Sequence, residues 1–179
     1  TLSIPEGLPS PNVRLTLEDG NGTLWIGTNG GVAAYDGRRV VSHAGKGGAL
    51  AGTVWSGAVD RHGALWFGTD RGLVSYDGEK FRTFLRADGL ADDYVYSLFP
   101  ASDGSIWLGS RGQGVARCTL EPGGRLGNCR VFTAADGLGH DSVRAITEDR
   151  QGTLYFATRG GGLARFDGQS FTRLTAADG

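Results

Sequence analysis

The sequence predicts an all-β protein, a β-propeller built of four four-stranded antiparallel blades. One motif recurs four times, as Thr-Leu-Trp-Ile-Gly-Thr at 23–28, Ala-Leu-Trp-Phe-Gly-Thr at 64–69, Ser-Ile-Trp-Leu-Gly-Ser at 105–110 and Thr-Leu-Tyr-Phe-Ala-Thr at 153–158. Each copy consists of short β-branched and aromatic runs separated by Gly, Asp and Asn, which is typical of strands joined by tight turns. With 32 glycines and 39% hydrophobic residues, the chain of 179 residues is rich in turns but able to fold.

The spacing of the repeat defines the blades. The aromatic anchors recur at steps of about 41 residues, and the last step is longer because of an insertion. We therefore expect a single β-propeller region over 1–179, with blades at about 8–48, 49–89, 90–137 and 138–179. In the second blade, strands A to D are predicted at about 54–59, 64–69, 73–76 and 81–85.

The repeated aromatic residues Trp25, Trp66, Trp107 and Tyr155 are predicted to form the core between blades. A lone four-stranded sheet has two faces and buries neither, so each anchor must pack against a neighbouring copy. Radial stacking around an axis provides that neighbour. Three arrangements satisfy the pattern: a segment of a larger propeller, a closed four-bladed unit, or half of an eight-bladed dimer.

The two cysteines flank the C–D turn of the third blade. Alignment with the second blade places Cys118 and Cys129 opposite each other across a hairpin whose loop holds the insertion. Directly opposed residues lie close to disulfide reach, so we predict a Cys118–Cys129 disulfide and an oxidising compartment, periplasmic or extracellular. The alternative is a pair of small buried hydrophobic residues in a reduced protein.

Variation between the copies indicates a candidate ligand-binding face. The A–B and C–D turns repeat Asp and Gly almost unchanged, whereas the opposite face, formed by the D–A and B–C loops, differs in every copy. Aromatic platforms beside guanidinium donors suit a saccharide or a small anionic ligand. The predicted ligand-binding residues are Arg14, Trp55, Tyr96, Arg111, Arg144, Arg159, Asn29, Arg71 and His140. The alternative is that these side chains form solvated salt bridges, such as Arg144 with Asp141, while Trp55 packs under a loop.

Other chemistry finds little support in the sequence. A net charge of -1 gives no general attraction to nucleic acid, and no apolar run is long enough to span a membrane. The three histidines fall in different blades and loop types, so we expect no catalytic residues, no metal site and no cofactor. We expect no direct membrane contact either.

Three strings resemble the two-component regulator propeller repeat: Asp-Gly-Leu-Ala-Asp-Asp-Tyr-Val at 88–95, Asp-Gly-Ser-Ile-Trp-Leu-Gly-Ser at 103–110 and Asp-Gly-Leu-Gly-His-Asp-Ser-Val at 136–143. The resemblance implies blades of a large propeller in the extracytoplasmic sensor portion of bacterial hybrid histidine kinases or related signalling proteins. The leading expectation is thus a ligand-binding sensor module rather than an enzyme. The alternatives are an interaction or assembly scaffold that self-associates into a ring, and a propeller lyase.

Overall fold

The computed structural model describes residues 2–46 and 49–174 and confirms the predicted all-β propeller fold. The predicted blade ends at 47–48 and 175–179 lie outside the described residues. The first two blades contain β1 (Val13–Glu18), β2 (Leu24–Thr28), β3 (Gly31–Tyr35), β4 (Val40–Ser42), β5 (Val54–Val59), β6 (Leu65–Thr69), β7 (Gly72–Tyr76) and β8 (Phe81–Phe84). The last two contain β9 (Val95–Pro100), β10 (Ser105–Ser110), β11 (Val115–Glu121), β12 (Arg125–Phe132), β13 (Val143–Glu148), β14 (Leu154–Thr158), β15 (Gly162–Phe166) and β16 (Phe171–Leu174).

Every blade is an antiparallel meander whose strands follow each other in chain order. Three short 3₁₀ turns, which the sequence did not indicate, lie in the D–A loops at Ala49–Ala51, Arg86–Asp88 and Ala134–Asp136. In two of them, the Asp at the end of the turn accepts the backbone N–H of the residue just before the turn. Asp88 accepts that of Leu85 in this way, at 2.8 Å. Gly89 then ends the turn at φ 100°, a conformation that favours glycine.

The three tryptophans of the repeat form the core between blades, as predicted. Trp25, Trp66 and Trp107 are at most 3% exposed, and each belongs to a cluster with residues of the following blade. Trp107, for example, meets Phe156 of the fourth blade edge-on, with ring centroids 5.1 Å apart. Tyr155 differs, because it lies half-buried on the outward face of the fourth blade. The blades are therefore held together mainly by burial of these indole rings.

The four blades form an open arc. The innermost strands pack in chain order, β1 on β5, β5 on β9 and β9 on β13. Within residues 2–46 and 49–174, β1 and β13 do not pack on each other as these neighbours do, and both are largely exposed. The closed four-bladed alternative is therefore not the arrangement of this structure.

A buried hydrogen bond connects the A–B turn to the tryptophan in two of the blades. Asp60 accepts the indole N–H of Trp66 at 2.7 Å and the backbone N–H groups of His62 and Ala64 at 2.8 and 3.0 Å. Asp19 accepts from Trp25 in the same way, at 2.9 Å. In the third blade this position is occupied by alanine, and the buried Trp107 indole N–H has no partner within the described part of the chain.

Replacing Asp60 by alanine tests this connection. Asp60→Ala leaves the buried Trp66 N–H without an acceptor, so we expect the free energy of unfolding to fall by about 1–3 kcal/mol in urea denaturation. Asp36→Ala is the matched control, because Asp36 accepts only the backbone N–H groups of Arg38 and Arg39 in an exposed turn, together with an exposed ion pair to Arg39. Equal losses for the two variants would contradict a special role of the indole bond.

The predicted disulfide between Cys118 and Cys129 is present, and the two residues are directly paired in the β11–β12 ladder. The insertion lengthens this hairpin, and its tip reaches the second blade. There the Ser75 hydroxyl donates to the Gly124 carbonyl at 2.6 Å, and Arg82 donates to the Gly123 carbonyl at 2.5 Å. The disulfide therefore closes the stem of a hairpin that bridges two blades.

Reduction of this disulfide should destabilise the fold. The bond joins residues 11 positions apart, so the chain-entropy model gives a loss of about 2–3 kcal/mol. Urea denaturation with and without reductant measures the loss, and a Cys118→Ala/Cys129→Ala variant serves as the control because reductant should leave it unchanged. An unshifted midpoint on reducing the unmodified protein would show that the hairpin is stable without its bond.

Candidate functional site

A β-bulge recurs at the start of the innermost strand of every blade. In the first blade Val13 pairs with Thr28 and Leu15 with Gly27, which leaves Arg14 as the extra residue. The same shift in the other blades leaves the residue after the repeated valine unpaired. The four extra residues are Arg14, Trp55, Tyr96 and Arg144. A bulge turns one side chain out of the regular alternation while the ladder continues on either side. The same place in every blade can therefore display a residue that varies between the copies.

Three aromatic rings meet at this level and form what we call the aromatic cluster, Trp55, Tyr94 and Tyr96. The centroid of Trp55 lies 4.9 Å from that of Tyr96 and 5.8 Å from that of Tyr94, and the two tyrosine rings lie 5.0 Å apart. All three side chains are half-buried. The cluster joins the second and third blades at the mouths of their inner strands.

Each ring of the aromatic cluster carries one guanidinium group. Arg14 lies 4.6 Å from the Trp55 centroid, Arg111 lies 5.3 Å from that of Tyr94, and Arg144 lies 4.0 Å from that of Tyr96. These distances fall within the range of cation–π attraction. The arginines come from the first, third and fourth blades, so residues of all four blades meet at one site.

None of these three arginines has a carboxylate partner within residues 2–46 and 49–174. The predicted alternative of a pair between Arg144 and Asp141 is not formed, because Asp141 instead accepts the backbone N–H of Ala134 at 2.7 Å. Asn29 is the one polar partner that an arginine of the site has there, and it accepts from Arg14 Nε at 2.7 Å. The site therefore carries a local excess of positive charge in a chain of net charge -1.

Burial raises the pKa of the Tyr94 hydroxyl, and the neighbouring Tyr96 raises it further by charge and by a hydrogen bond. Asp70 also raises the pKa of Tyr94, whereas Arg111 lowers it. The phenol is therefore protonated at neutral pH.

Three predicted site residues lie apart from the aromatic cluster. In the part of the chain that the structure describes, the side chains of Arg71 and Arg159 have no hydrogen bond, ion pair or ring contact. His140 Nδ1 accepts the backbone N–H of Ser142 at 2.9 Å, which fixes it within its own loop. The sequence analysis missed Tyr94. A signal for it existed, since the residue before the repeated valine is an aromatic residue only in the third copy, whereas the other copies have Asn12, Thr53 and Ser142 there.

Clefts also lie on the opposite face, among the A–B and C–D turns. One of about 430 Å³ lies between the first two blades, and another of about 360 Å³ is lined by the Cys118–Cys129 hairpin. Their polar groups are largely used within the fold, since Asp19 binds Trp25 while Arg117 pairs with Asp103 at 2.5 Å. At the aromatic cluster, in contrast, three guanidinium groups gather without a carboxylate partner among the described residues. We therefore place the candidate site there.

Within the described residues, no group of three or more His, Cys, Asp and Glu side chains is arranged to hold a metal ion. The same part of the chain contains no helix long and apolar enough to span a bilayer.

Comparison with known families identifies the repeat. The two component regulator propeller family matches residues 7–30, 89–112 and 137–160. Each matched segment covers a D–A loop and the two innermost strands of the blade that follows it. The chain carries two-component regulator propeller repeats. The resemblance of the sequence to this family is thereby confirmed. No curated protein matches the sequence.

Solved structures show the same architecture in the extracellular domain of a hybrid two component system and in enzymes. The extracellular domain of a protein described as a hybrid two component system from B. thetaiotaomicron superposes with a TM-score of 0.80 at 25% identity, covering 95% of this chain and 24% of that one. Two enzymes share the fold alone. Virginiamycin B lyase from Staphylococcus aureus is 16% identical with a TM-score of 0.65, over 96% of this chain and 59% of that one. A gluconolactonase from Xanthomonas campestris is 18% identical with a TM-score of 0.65, over 92% of this chain and 62% of that one. The chain spans about a quarter of the length of the first relative.

Proposed function

We propose that this two-component regulator propeller segment is the ligand-binding part of a bacterial sensor, located in the periplasm or outside the cell. The family of its repeats and the extracellular location of the B. thetaiotaomicron relative support this assignment. The Cys118–Cys129 disulfide supports it as well, because such bonds persist in oxidising compartments. The ligand that we propose is a carbohydrate or a small anionic molecule.

The observation that carries this proposal is the aromatic cluster with its three arginines, since no fold requirement explains it. The repeated Trp and Gly positions hold the blades together, whereas the bulge position carries Arg, Trp, Tyr and Arg in the four copies. Half-buried rings beside polar donors are typical of recognition surfaces, where large rigid side chains give contact area at low entropic cost.

We propose binding rather than catalysis. Acid–base chemistry needs a titratable group placed where a substrate would react. His140, the histidine on this face, is engaged with the Ser142 backbone and does not touch the aromatic cluster. A hydrolase or lyase activity that is lost in His140→Ala would contradict this part of the proposal.

Trp55 provides a direct measure of binding. The other three tryptophans are at most 3% exposed, so a ligand at this site should change the fluorescence of Trp55 alone. Screening neutral and acidic oligosaccharides and small carboxylates should yield a ligand whose fluorescence signal disappears in Trp55→Phe. Calorimetry with Trp55→Ala should show an affinity loss of about tenfold or more, as expected for a central aromatic contact.

Arg159→Ala is the matched control for this screen, because Arg159 is exposed on the same face but does not touch the aromatic cluster. Its affinity should stay within about twofold of the unmodified protein. A ligand that binds Trp55→Ala as tightly as the unmodified chain would move the site elsewhere.

As a second candidate, we propose self-association, an assembly role supported by apolar residues on the outward face of the fourth blade. Leu163 and Leu174 are paired neighbours there and are 37% and 38% exposed. Phe156 and Phe166, in contrast, face the third blade and are buried. An exposed apolar sheet face of this kind favours association with another sheet.

Solution mass tests this candidate. If two chains complete a ring, light scattering should give about twice the 18.8 kDa of one chain. Leu163→Asp should restore the single-chain mass because it places a charge in the interface. Val131→Asp is the control, since Val131 is 40% exposed on β12 of the third blade, away from that face. A single-chain mass at all concentrations would exclude the ring.

A further inference from the structure

We propose that the site is selective for a ligand with two or more anionic oxygen groups, such as carboxylate, sulfate or phosphate, over a neutral saccharide. This inference rests on the proposed function and specifies the chemistry of its ligand. The observation behind it is that three guanidinium groups gather at the aromatic cluster and that none of them pairs with a carboxylate of the described residues.

Stacking on a ring determines how each arginine can bind. A guanidinium group that lies over an aromatic face keeps the N–H donors at its edge free, and these donors match the two oxygens of a carboxylate, sulfate or phosphate. Arg111 and Arg144 have no hydrogen bond from their guanidinium groups within the described residues, and Arg14 gives only its Nε donor to Asn29. Within the described residues, Arg111 and Arg144 thus keep all their guanidinium donors without a partner, and Arg14 keeps its terminal N–H groups.

The carboxylates near the site do not form ion pairs with these arginines within the described residues. Asp93 accepts the backbone N–H of Arg86 at 2.7 Å, and Asp70 accepts that of Thr53 at 3.0 Å. Asp92 accepts that of Tyr94 at 3.4 Å. Each acid therefore closes a loop instead of pairing with a guanidinium. Three like charges around one triangle of rings repel each other, and a multivalent anion relieves that repulsion at several points at once.

The same geometry disfavours a neutral sugar. Saccharide rings bind proteins largely by stacking on aromatic faces, but each ring of the aromatic cluster already has a guanidinium group over it. The rings also pack on one another, with centroids 4.9 to 5.8 Å apart. A neutral sugar must displace an arginine to stack, whereas an anion binds to the arginines as they stand.

The three ring centroids lie within 5.8 Å of one another. The guanidinium group on each ring is at most 5.3 Å from the centroid it covers. A single ligand of about the size of a di- or trisaccharide therefore reaches more than one of them. Two anionic groups on one molecule then bind with a gain in effective concentration that a monovalent anion does not have.

Calorimetry of the whole chain with defined probes tests this selectivity. The multivalent probes are citrate, tripolyphosphate and a disulfated disaccharide, which distinguish carboxylate, phosphate and sulfate as the source of the charge. Acetate and maltose are the monovalent and neutral probes. We expect at least one multivalent probe to bind about tenfold or more tightly than acetate and maltose, with an affinity that falls as salt increases.

Arginine variants locate the effect. Arg144→Gln and Arg14→Gln should each weaken the preferred probe about tenfold, whereas Arg159→Gln should change it less than about twofold. Thermal unfolding of each variant verifies that it is folded. An equal loss in Arg159→Gln would show non-specific attraction and overturn the proposed selectivity.

Two further results separate this inference from the proposed function. Maltose binding that equals or exceeds that of the anions, is lost in Trp55→Ala and persists in Arg144→Gln would overturn the selectivity and leave the binding site in place. Absence of binding by every probe, and by the wider ligand screen described above, would overturn both.

Discussion

Close packing between neighbouring blades is the constraint on which the rest of the structure depends. A four-stranded sheet must bury both faces, and the repeat achieves this with a tryptophan on one side and a glycine beside it. A Cβ atom on Gly68 would lie 2.9 Å from the Val95 side chain of the following blade, and Gly109 is equally close to Val143. Only a residue without a side chain lets the inner strand of the next blade approach this closely.

This tight scaffold explains why the variable residues can vary. The ladder on either side of each bulge is fixed by burial of the valine, which is at most 2% exposed in the last three blades. The extra residue of the bulge lies outside this valine core, so its identity can differ between blades. Arg14 and Arg144 occupy this place in two blades, and Trp55 and Tyr96 in the others.

The sequence predicted the repeated parts of the molecule well, because period, turn residues and core anchors are local signals. Four meanders, the three buried tryptophans and the Cys118–Cys129 pair are all present. The sequence indicated the loops and strand ends that form the candidate site, but not which of their side chains contact one another. Arg14, Trp55, Tyr96, Arg111 and Arg144 come together, whereas Arg71, Arg159 and His140 remain apart. The conformation of each loop decides whether its side chains reach the aromatic cluster. That conformation depends on single hydrogen bonds, such as the one that Asp141 accepts from the Ala134 backbone N–H, and the sequence pattern does not reveal them.

The site is coupled to the arrangement of the blades because its groups come from all four sheets. Arg14 contacts Trp55 across the first interface, and Arg144 contacts Tyr96 across the third. A ligand held by both arginines therefore has an affinity that depends on how all four blades pack. By linkage, the same ligand stabilises the packing that it prefers, to the extent that its contacts differ between arrangements. A site built within one blade would lack this dependence. Because the bulge residues contact one another across the interfaces between blades, a ligand that binds there, as we propose, also acts on blade packing.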